Sequence, residues 1–395
     1  MDNVTHTLIG ITLGKSVSQK QTDFERAAIW TAVLGNNLPD IDVFLRPFLG
    51  SGPLGSLLHH RGYTHTVLAS FFLGAVAAVV GTRITKTKPL LGLKLLFLGW
   101  ISVLCHIAAD FCNNYGVHPF SPFLNQWFYG DTLFILEPLL WLSLLPFVFF
   151  NARTLAGKAL PLLLVCLLMG LIWSLKFTSF GVAIYLTLWA GIFVYLNRKI
   201  RTVFPAIAAI LLVLLSFGIC SRIARYQVQS YFKANSPSSE LHRLAMTPAP
   251  GNPLCWSMQS LSIENQQADY VARKGTFSLL PSLFLPQNCY LRNENTGLAP
   301  LGPVTLPYDP HFSWLGEFRK PKSEFTFLKT NYCQFRSFLK FARIPVWTQA
   351  GDSWIATDLR YDRKNGGFTN IDLNPRLGCP GMIDSSAPWD YPTQH

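Results

Sequence analysis

Charge is scarce in this chain. Only 14% of its 395 residues are Asp, Glu, Lys or Arg, against roughly 25% in an ordinary soluble domain. Half of the residues are hydrophobic and the mean hydropathy is +0.27. That deficit points to the bilayer. Carboxylates and imidazoles are missing altogether from 138 to 239, so the middle of the chain is expected to be plain scaffold. None of the eight cysteines forms a Cys-x-x-Cys pair, which argues against a zinc–thiolate site. No basic run with interleaved aromatics occurs, so nucleic acid is not an expected partner in spite of a formal charge of +12. No cleavable signal peptide is visible either. The chain opens on Asp2, and its first apolar run is broken by His6 and Lys15; targeting is expected from the first membrane helix.

The basic excess sits in short clusters between apolar runs: Arg83, Lys86 and Lys88; Arg153 and Lys158; Arg198, Lys199 and Arg201. That is information about topology. Six apolar runs approach the roughly 20 helical residues needed to cross a bilayer core. They lie near 66–84, 90–111, 133–151, 159–176, 180–197 and 203–221. Two shorter apolar segments, 4–14 and 26–36, read as interfacial, re-entrant or bundle-packed helices, the second ended by Gly35 and Pro39. From about 222 the pattern changes. Phe325–Leu328 and Val346–Ala356 are rich in β-branched and aromatic residues and read as strands. With the basic loops in the cytoplasm, the segment before residue 66, the loop 112–132 and everything after 221 are expected on the other side. Cys255, Cys289, Cys333 and Cys379 would then meet an oxidising compartment and could pair in three ways.

The ligand-type residues are concentrated early. Up to residue 221 all acids lie at or before Glu137, and six of the nine histidines lie at or before His118. Ionisable groups at membrane depth are costly and mark function by default. Four pieces stand out: Thr5-His6-Thr7, Leu38-Pro39-Asp40-Ile41-Asp42, His59-His60-Arg61-Gly62-Tyr63-Thr64-His65, and His106 with Asp110. Taken singly, each has a bland reading: an interfacial histidine, a turn, a polar loop, a buried proton-sharing pair. His106 and Asp110 are four apart and share a helix face, which Asn113 and Asn114 extend. His65 opens one span and Asp110 closes the next, so an antiparallel pair brings them together. Imidazole plus carboxylate without thiolate suits zinc, with manganese or iron as alternatives. The ligand candidates are His6, Asp40, His60, His65, His106 and Asp110. Asp42 is placed as general base or supporting carboxylate, and Arg61 as a fork for an anionic substrate. His59, Thr64, Asn114, Asp131 and Glu137 are expected to support the ligands or meet substrate.

These motifs resemble the membrane-bound metal-dependent hydrolase family of prokaryotes, the YdjM-like inner-membrane proteins. The resemblance rests on MDNVTHTLIG at the start, Leu38–Asp42 (LPDID), His60–Thr66 (HRGYTHT) and His106–Gly116 (HIAADFCNNYG). Pro119-Phe120-Ser121, Gly130-Asp131 and Phe134-Ile135 also fit, as do Pro345-Val346-Trp347 and Asp358-Leu359-Arg360-Tyr361 in the tail. Glu137-Pro138 stands where the family has Asp-Pro. The order His, Asp, His, then His-x-x-x-Asp is also remotely similar to zinc-dependent phospholipase C and the S1/P1 nucleases. That similarity implies that His6, Asp40, His65, His106 and Asp110 are metal ligands of a phosphoesterase-type site.

The resulting expectation is a mainly α, polytopic transmembrane helical bundle of about six spans plus short N-terminal helices, with a β-rich extramembrane C-terminal domain. Its parts are a metal-site region (1–138), a transmembrane scaffold (139–221) and the β-rich domain (222–395). The expected function is metal-dependent hydrolysis of a phosphoester or lipid-linked substrate, with membrane lipids as partners. The protein is expected in the inner membrane, with its C-terminal domain on the non-cytoplasmic side. A proton- or metal-coupled transporter and a non-catalytic, metal-stabilised scaffold are the rival readings.

Overall fold

Asp2 starts the first helix. Its side chain accepts the Thr5 amide at 2.9 Å and caps α1 (Asn3–Ser16), and Gly35 ends α2 (Asp23–Gly35). The computed structural model describes residues 1–18, 23–44, 52–86, 92–124, 126–174, 179–236, 239–266, 268–289, 297–363 and 367–374. Further helices follow: α3 (Gly52–His59), α4 (Val67–Thr85), α5 (Gly92–Phe111), α6 (Pro138–Asn151), α7 (Leu155–Ser174), α8 (Phe180–Lys199) and α9 (Phe204–Asn235). The chain divides into two compact units. One holds Met1–Asp42, Arg61–Ile219 and Pro250–Pro253; the other holds Val43–His60, Cys220–Ala249 and the chain from Leu254 on.

In the first unit, small residues let backbones touch. A Cβ on Gly14 would stand 2.6 Å from the Ile29 Cα, and one on Gly10 would stand 2.8 Å from the Val33 Cα. Hence α1 and α2 run antiparallel in close contact. Gly99 lies against the Gly74 carbonyl in the same way and locks α4 to α5, while Gly81 and Gly35 meet Thr31 and Ser102. This is how helices associate where no apolar surface can be hidden from water.

Among the described residues, five helices, α4, α5, α7, α8 and α9, are long and apolar enough to cross a membrane. The protein is membrane-integral. The run expected at 133–151 yields only the 14-residue α6, about 21 Å long against a core of about 30 Å. Its first part is spent on a loop: Gly130 N bonds the Phe111 carbonyl, and Thr132 N and Leu133 N bond that of Cys112. The helix begins only where Glu137 caps it ahead of Pro138. The last span is longer than expected. The 32 residues of α9 make about 48 Å of helix, so its end outruns the bilayer core.

The second unit carries the strands. β1 (Glu240–Ala249), β2 (Asn252–Glu264), β3 (Asp269–Ser278) and β4 (Phe312–Pro321) form one sheet in that order. Val228, Phe232, Trp256, Phe277 and Phe312 build its core. After α10 (Lys322–Asn331) and α11 (Cys333–Leu339), the strands β5 (Pro345–Ala350), β6 (Ser353–Asp358) and β7 (Ile371–Leu373) make a second antiparallel sheet. Phe325–Leu328, expected as a strand, lies in α10, where the three-residue spacing puts buried Phe325 and Leu328 on one helical face. Val346–Ala356 is a hairpin turning at Gly351, φ +61°. Cys255 is bonded to Cys289. Cys333 is disulfide-bonded too, and Cys379 lies outside the described residues. Buried Asp358 accepts the Arg343 amide at 2.7 Å and meets the Arg360 guanidinium at 2.8 Å. Burial alone would raise its carboxyl; the charge and donors of Arg360 hold it below the usual range.

Candidate metal centre

The two helix registers decide what meets. The Gly14–Ile29 and Gly10–Val33 contacts, carried on along α1 and α2, bring His6 level with Asn36. The Gly74–Gly99 contact, carried on along α4 and α5, brings His65 level with the turn that holds His106 and Asp110. Asp40 arrives on a 3-10 turn, Leu38–Ile41, anchored by buried Pro39.

Asp40, His65, His106 and Asp110 each offer one ligand atom, and these atoms lie within 4.8 Å of one another. His65 Nε2 stands 3.5 Å from Asp40 Oδ1 and 3.3 Å from Asp110 Oδ2. His106 Nε2 stands 3.7 Å from Asp40 Oδ1, 3.5 Å from Asp110 Oδ2 and 3.1 Å from His65 Nε2. The side chains of His65, His106 and Asp110 are fully buried, while Asp40 keeps 14% exposure. The Asn3 amide donates to Asp40 Oδ2 at 3.2 Å.

The tautomer follows from the partners. His106 Nδ1 lies 2.8 Å from the Asn36 carbonyl oxygen. A carbonyl can only accept, so Nδ1 carries the proton, and in the neutral ring Nε2 presents its lone pair to the cluster. On His65, Nδ1 sits 3.0 Å from Thr64 Oγ1 and 3.6 Å from Asp42 Oδ2, which again leaves Nε2 facing inward. Lone pairs and carboxylate oxygens thus converge in a buried space. A divalent cation would relieve that arrangement, and imidazole and carboxylate donors without thiolate are chemically compatible with one.

His6 joins from the side. Its ring stacks on His106 with centroids 3.8 Å apart, and Nε2 is 3.3 Å from Asp110 Oδ1. Both His6 nitrogens are buried without a hydrogen-bond partner. The Met1 amino nitrogen also lies against Asp110 Oδ1. Thr5 fixes this end of α1, since its hydroxyl accepts the Trp141 indole proton at 2.9 Å.

Arg61 is held inside the protein. Its Nε is 3.0 Å from Asp110 Oδ2, and one terminal nitrogen donates to Asn113 Oδ1 and the Gly116 carbonyl, both at 3.1 Å. The guanidinium also lies over Tyr115. Its backbone is left-handed, φ +57°, and its amide donates to Asp42 Oδ2 at 2.7 Å. These contacts describe a brace for Asp110 and for the turn after α5. Asp42, bonded to that amide and close to His65 Nδ1, supports the imidazole and is not one of the four clustered donors.

The other expected residues are spread more widely. His60 follows α3 in the second unit, its amide bonded to the Ser56 carbonyl, and is not a member of the four-residue group. The side chain of His59 lies outside the described residues. Asn114 is half-buried in the turn after α5, and Asp131 is fully buried at φ +48°. Glu137 caps α6 through the Leu139 amide and accepts the Gly251 amide at 3.1 Å, a structural post in the first unit. Sequence reasoning did not single out Asn36, the acceptor that orients His106, nor His118, which stacks on Trp127 at 4.7 Å. Burial pushes the His118 imidazole down to about 4.

Residues 1–179 match the family model described as YdjM inner membrane protein. The uncharacterized protein YfhP of Bacillus subtilis (strain 168) is 27% identical over 148 residues, 36% of this chain. That stretch is 44% of YfhP, so the similarity spans less than half of that relative's length. No solved structure matches.

Proposed function

We propose that this chain, whose residues 1–179 match the YdjM inner membrane protein model, is a membrane-bound metal-dependent hydrolase acting on a phosphoester or lipid-linked substrate. The convergence of Asp40, His65, His106 and Asp110 within 4.8 Å carries this reading. Asp40, His65, His106 and Asp110 would hold a divalent ion, which would supply Lewis acidity toward water and a phosphoryl oxygen. The chain's residues do the rest. His65 and His106 keep Nε2 toward the site because Thr64, Asp42 and the Asn36 carbonyl hold the other ring nitrogens. Arg61 orients Asp110, and the buried walls exclude bulk water. Asp40 is the exposed edge, so substrate and water are placed on that side.

The transporter reading has less support, because from 138 to 239 no acid or histidine continues a path. The test begins with metal analysis of the purified protein beside His106→Ala and Asp110→Ala. Bound metal that falls in both variants is expected, followed by phosphodiesterase or phosphomonoesterase activity that depends on added zinc or manganese. Metal content equal in all three would remove the site. Metal without hydrolysis of any ester in the screen would leave the structural clamp as the function.

The protein is placed in the inner membrane with its C-terminal domain on the non-cytoplasmic side. The disulfide-bonded Cys255, Cys289 and Cys333 support that side; the basic loops agree with it only when the short helix α6 counts as a sixth crossing. A reporter fused after Ser230 and active only in the cytoplasm would refute it.

A further inference from the structure

The α1–α2 hairpin has a second end. The register that sets His6 beside Asn36 sets Lys15 beside Glu25, nine residues of α1 or about 14 Å away along the helix. Lys15, Glu25, Arg26 and Arg153 line a pocket of about 240 Å³ there, and Ile29 and Val148 give it an apolar wall. Three cations face one carboxylate. Lys15 Nζ meets Glu25 Oε1 at 2.9 Å, and the Arg153 guanidinium approaches Oε2 at 3.7 Å. Arg26 is exposed, and among the described residues no hydrogen bond or ion pair engages it. The pocket therefore carries an excess of two positive charges.

Its position narrows the ligand. Arg153 precedes α7, one of the helices apolar enough to cross the membrane, by two residues. Leu155, Leu160 and Leu163, at the start of that helix, are exposed apolar side chains. Cations at a helix end with bare leucines alongside match a phospholipid, phosphate in the pocket and acyl chains along the leucines. The volume falls below the roughly 300–1,000 Å³ of pockets that enclose a whole drug-sized ligand, which suits a head group whose tails remain outside. A zwitterionic head group would bring its own ammonium against three cations.

We propose that this pocket binds the phosphate of an anionic phospholipid, phosphatidylglycerol or cardiolipin. The site is separate from the histidine–aspartate cluster and does not depend on hydrolysis. The test is native mass spectrometry of the full-length protein in detergent, titrated with phosphatidylglycerol, cardiolipin or phosphatidylcholine. Anionic lipid should be retained at least about tenfold better than phosphatidylcholine, and Arg26→Gln with Arg153→Gln should lower that preference by about tenfold or more. The single variant Arg26→Gln, at an exposed and unengaged position, should keep the wild-type melting temperature and lose part of the preference. Arg83→Gln with Lys199→Gln, at other helix ends, should leave it unchanged. Equal retention of both lipid classes would overturn the proposal, as would equal losses in the two double variants. Full displacement of the lipid by millimolar inorganic phosphate would assign the pocket to a free anion and overturn the lipid reading as well.

Discussion

Thr64 is the sharpest place to test the centre. Its hydroxyl oxygen lies 3.0 Å from His65 Nδ1, and Asp42 Oδ2 lies 3.6 Å from the same atom. Thr64→Val keeps the side-chain shape and removes only the oxygen. His65 then loses its nearest polar neighbour, and its ring can take the other tautomer, which puts a proton where the lone pair should be. Loss of such outer partners typically weakens metal binding by about 10- to 100-fold, or about 1.4–2.8 kcal/mol. The buried ring has little room to reorient, since His65 is fully buried, so the lower half of that range is expected. Asp42→Asn should have an effect of the same kind. The assay is competition of the purified protein against a metal-binding dye, with folding followed by the melting temperature. If both variants bind metal as the wild type does, the account of how His65 is held is wrong. If Asp42→Asn alone keeps full metal affinity yet abolishes ester hydrolysis, Asp42 is the general base and not the support of the imidazole.

Three further outcomes follow from other parts of the chain. Glu317→Ala should cost about 3 kcal/mol, the low end for breaking a buried ion pair: Arg273, 1% exposed, loses a 2.7 Å partner but keeps Glu264 at 2.8 Å, and a denaturant shift under 1 kcal/mol would contradict this. Cys255→Ser opens a loop closed across 34 residues and should cost about 4 kcal/mol by chain entropy, and reduced wild type, which also loses the Cys333 bond, should fall at least as far; no change in either case would contradict the bond's role. His118, held near 4 by burial against an ordinary 6.5, binds its proton more readily when unfolded. Stability should therefore fall as pH drops below 6.5, by about 2 kcal/mol by pH 5. The carboxylates titrate in both proteins, so the difference between wild type and His118→Phe in melting temperature against pH isolates the effect; parallel curves would refute it.

The spans were legible because apolar runs of span length leave few alternatives, and their ends came within a few residues in most cases. The exceptions have causes that composition does not carry. Residues 133–137 are apolar apart from Glu137 and read as the start of a helix, yet the Leu133 amide bonds the Cys112 carbonyl and the Ile135 carbonyl accepts the Asp2 amide. The second half of α9 is polar enough to look like an end, but Val228 and Phe232 continue a buried stripe on the β-sheet. Phe325–Leu328 reads equally well at a period of two or of 3.6, as short apolar runs often do. At the site, His106 and Asp110 were visible from their spacing on one helix. Asp40 and His65 could be joined to them only by the topology of the spans. Asn36 acts through its backbone carbonyl, which no side-chain pattern reports. Arg61 was visible as a charge, but its direction was not. A left-handed residue between a histidine and a glycine turns its side chain inward to Asp110, and the sequence held no sign of that turn.

The distribution of exposure bears on whether this centre acts on substrate or only fastens helices together. A structural site is expected to bury every ligand and keep no open position, whereas a catalytic one leaves one side reachable. His65, His106 and Asp110 have no exposed side-chain surface. Each is also fixed from behind: His106 by the Asn36 carbonyl, His65 by Thr64, and Asp110 by Arg61. Asp40 differs on both counts. It is partly exposed, and its carboxylate accepts from the Asn3 side chain, an exposed contact of 3.2 Å. Three buried candidate ligands held from behind and one that is partly exposed are the arrangement expected of a site approached from the Asp40 side. Helix clamping does not need such an opening, and hydrolysis does.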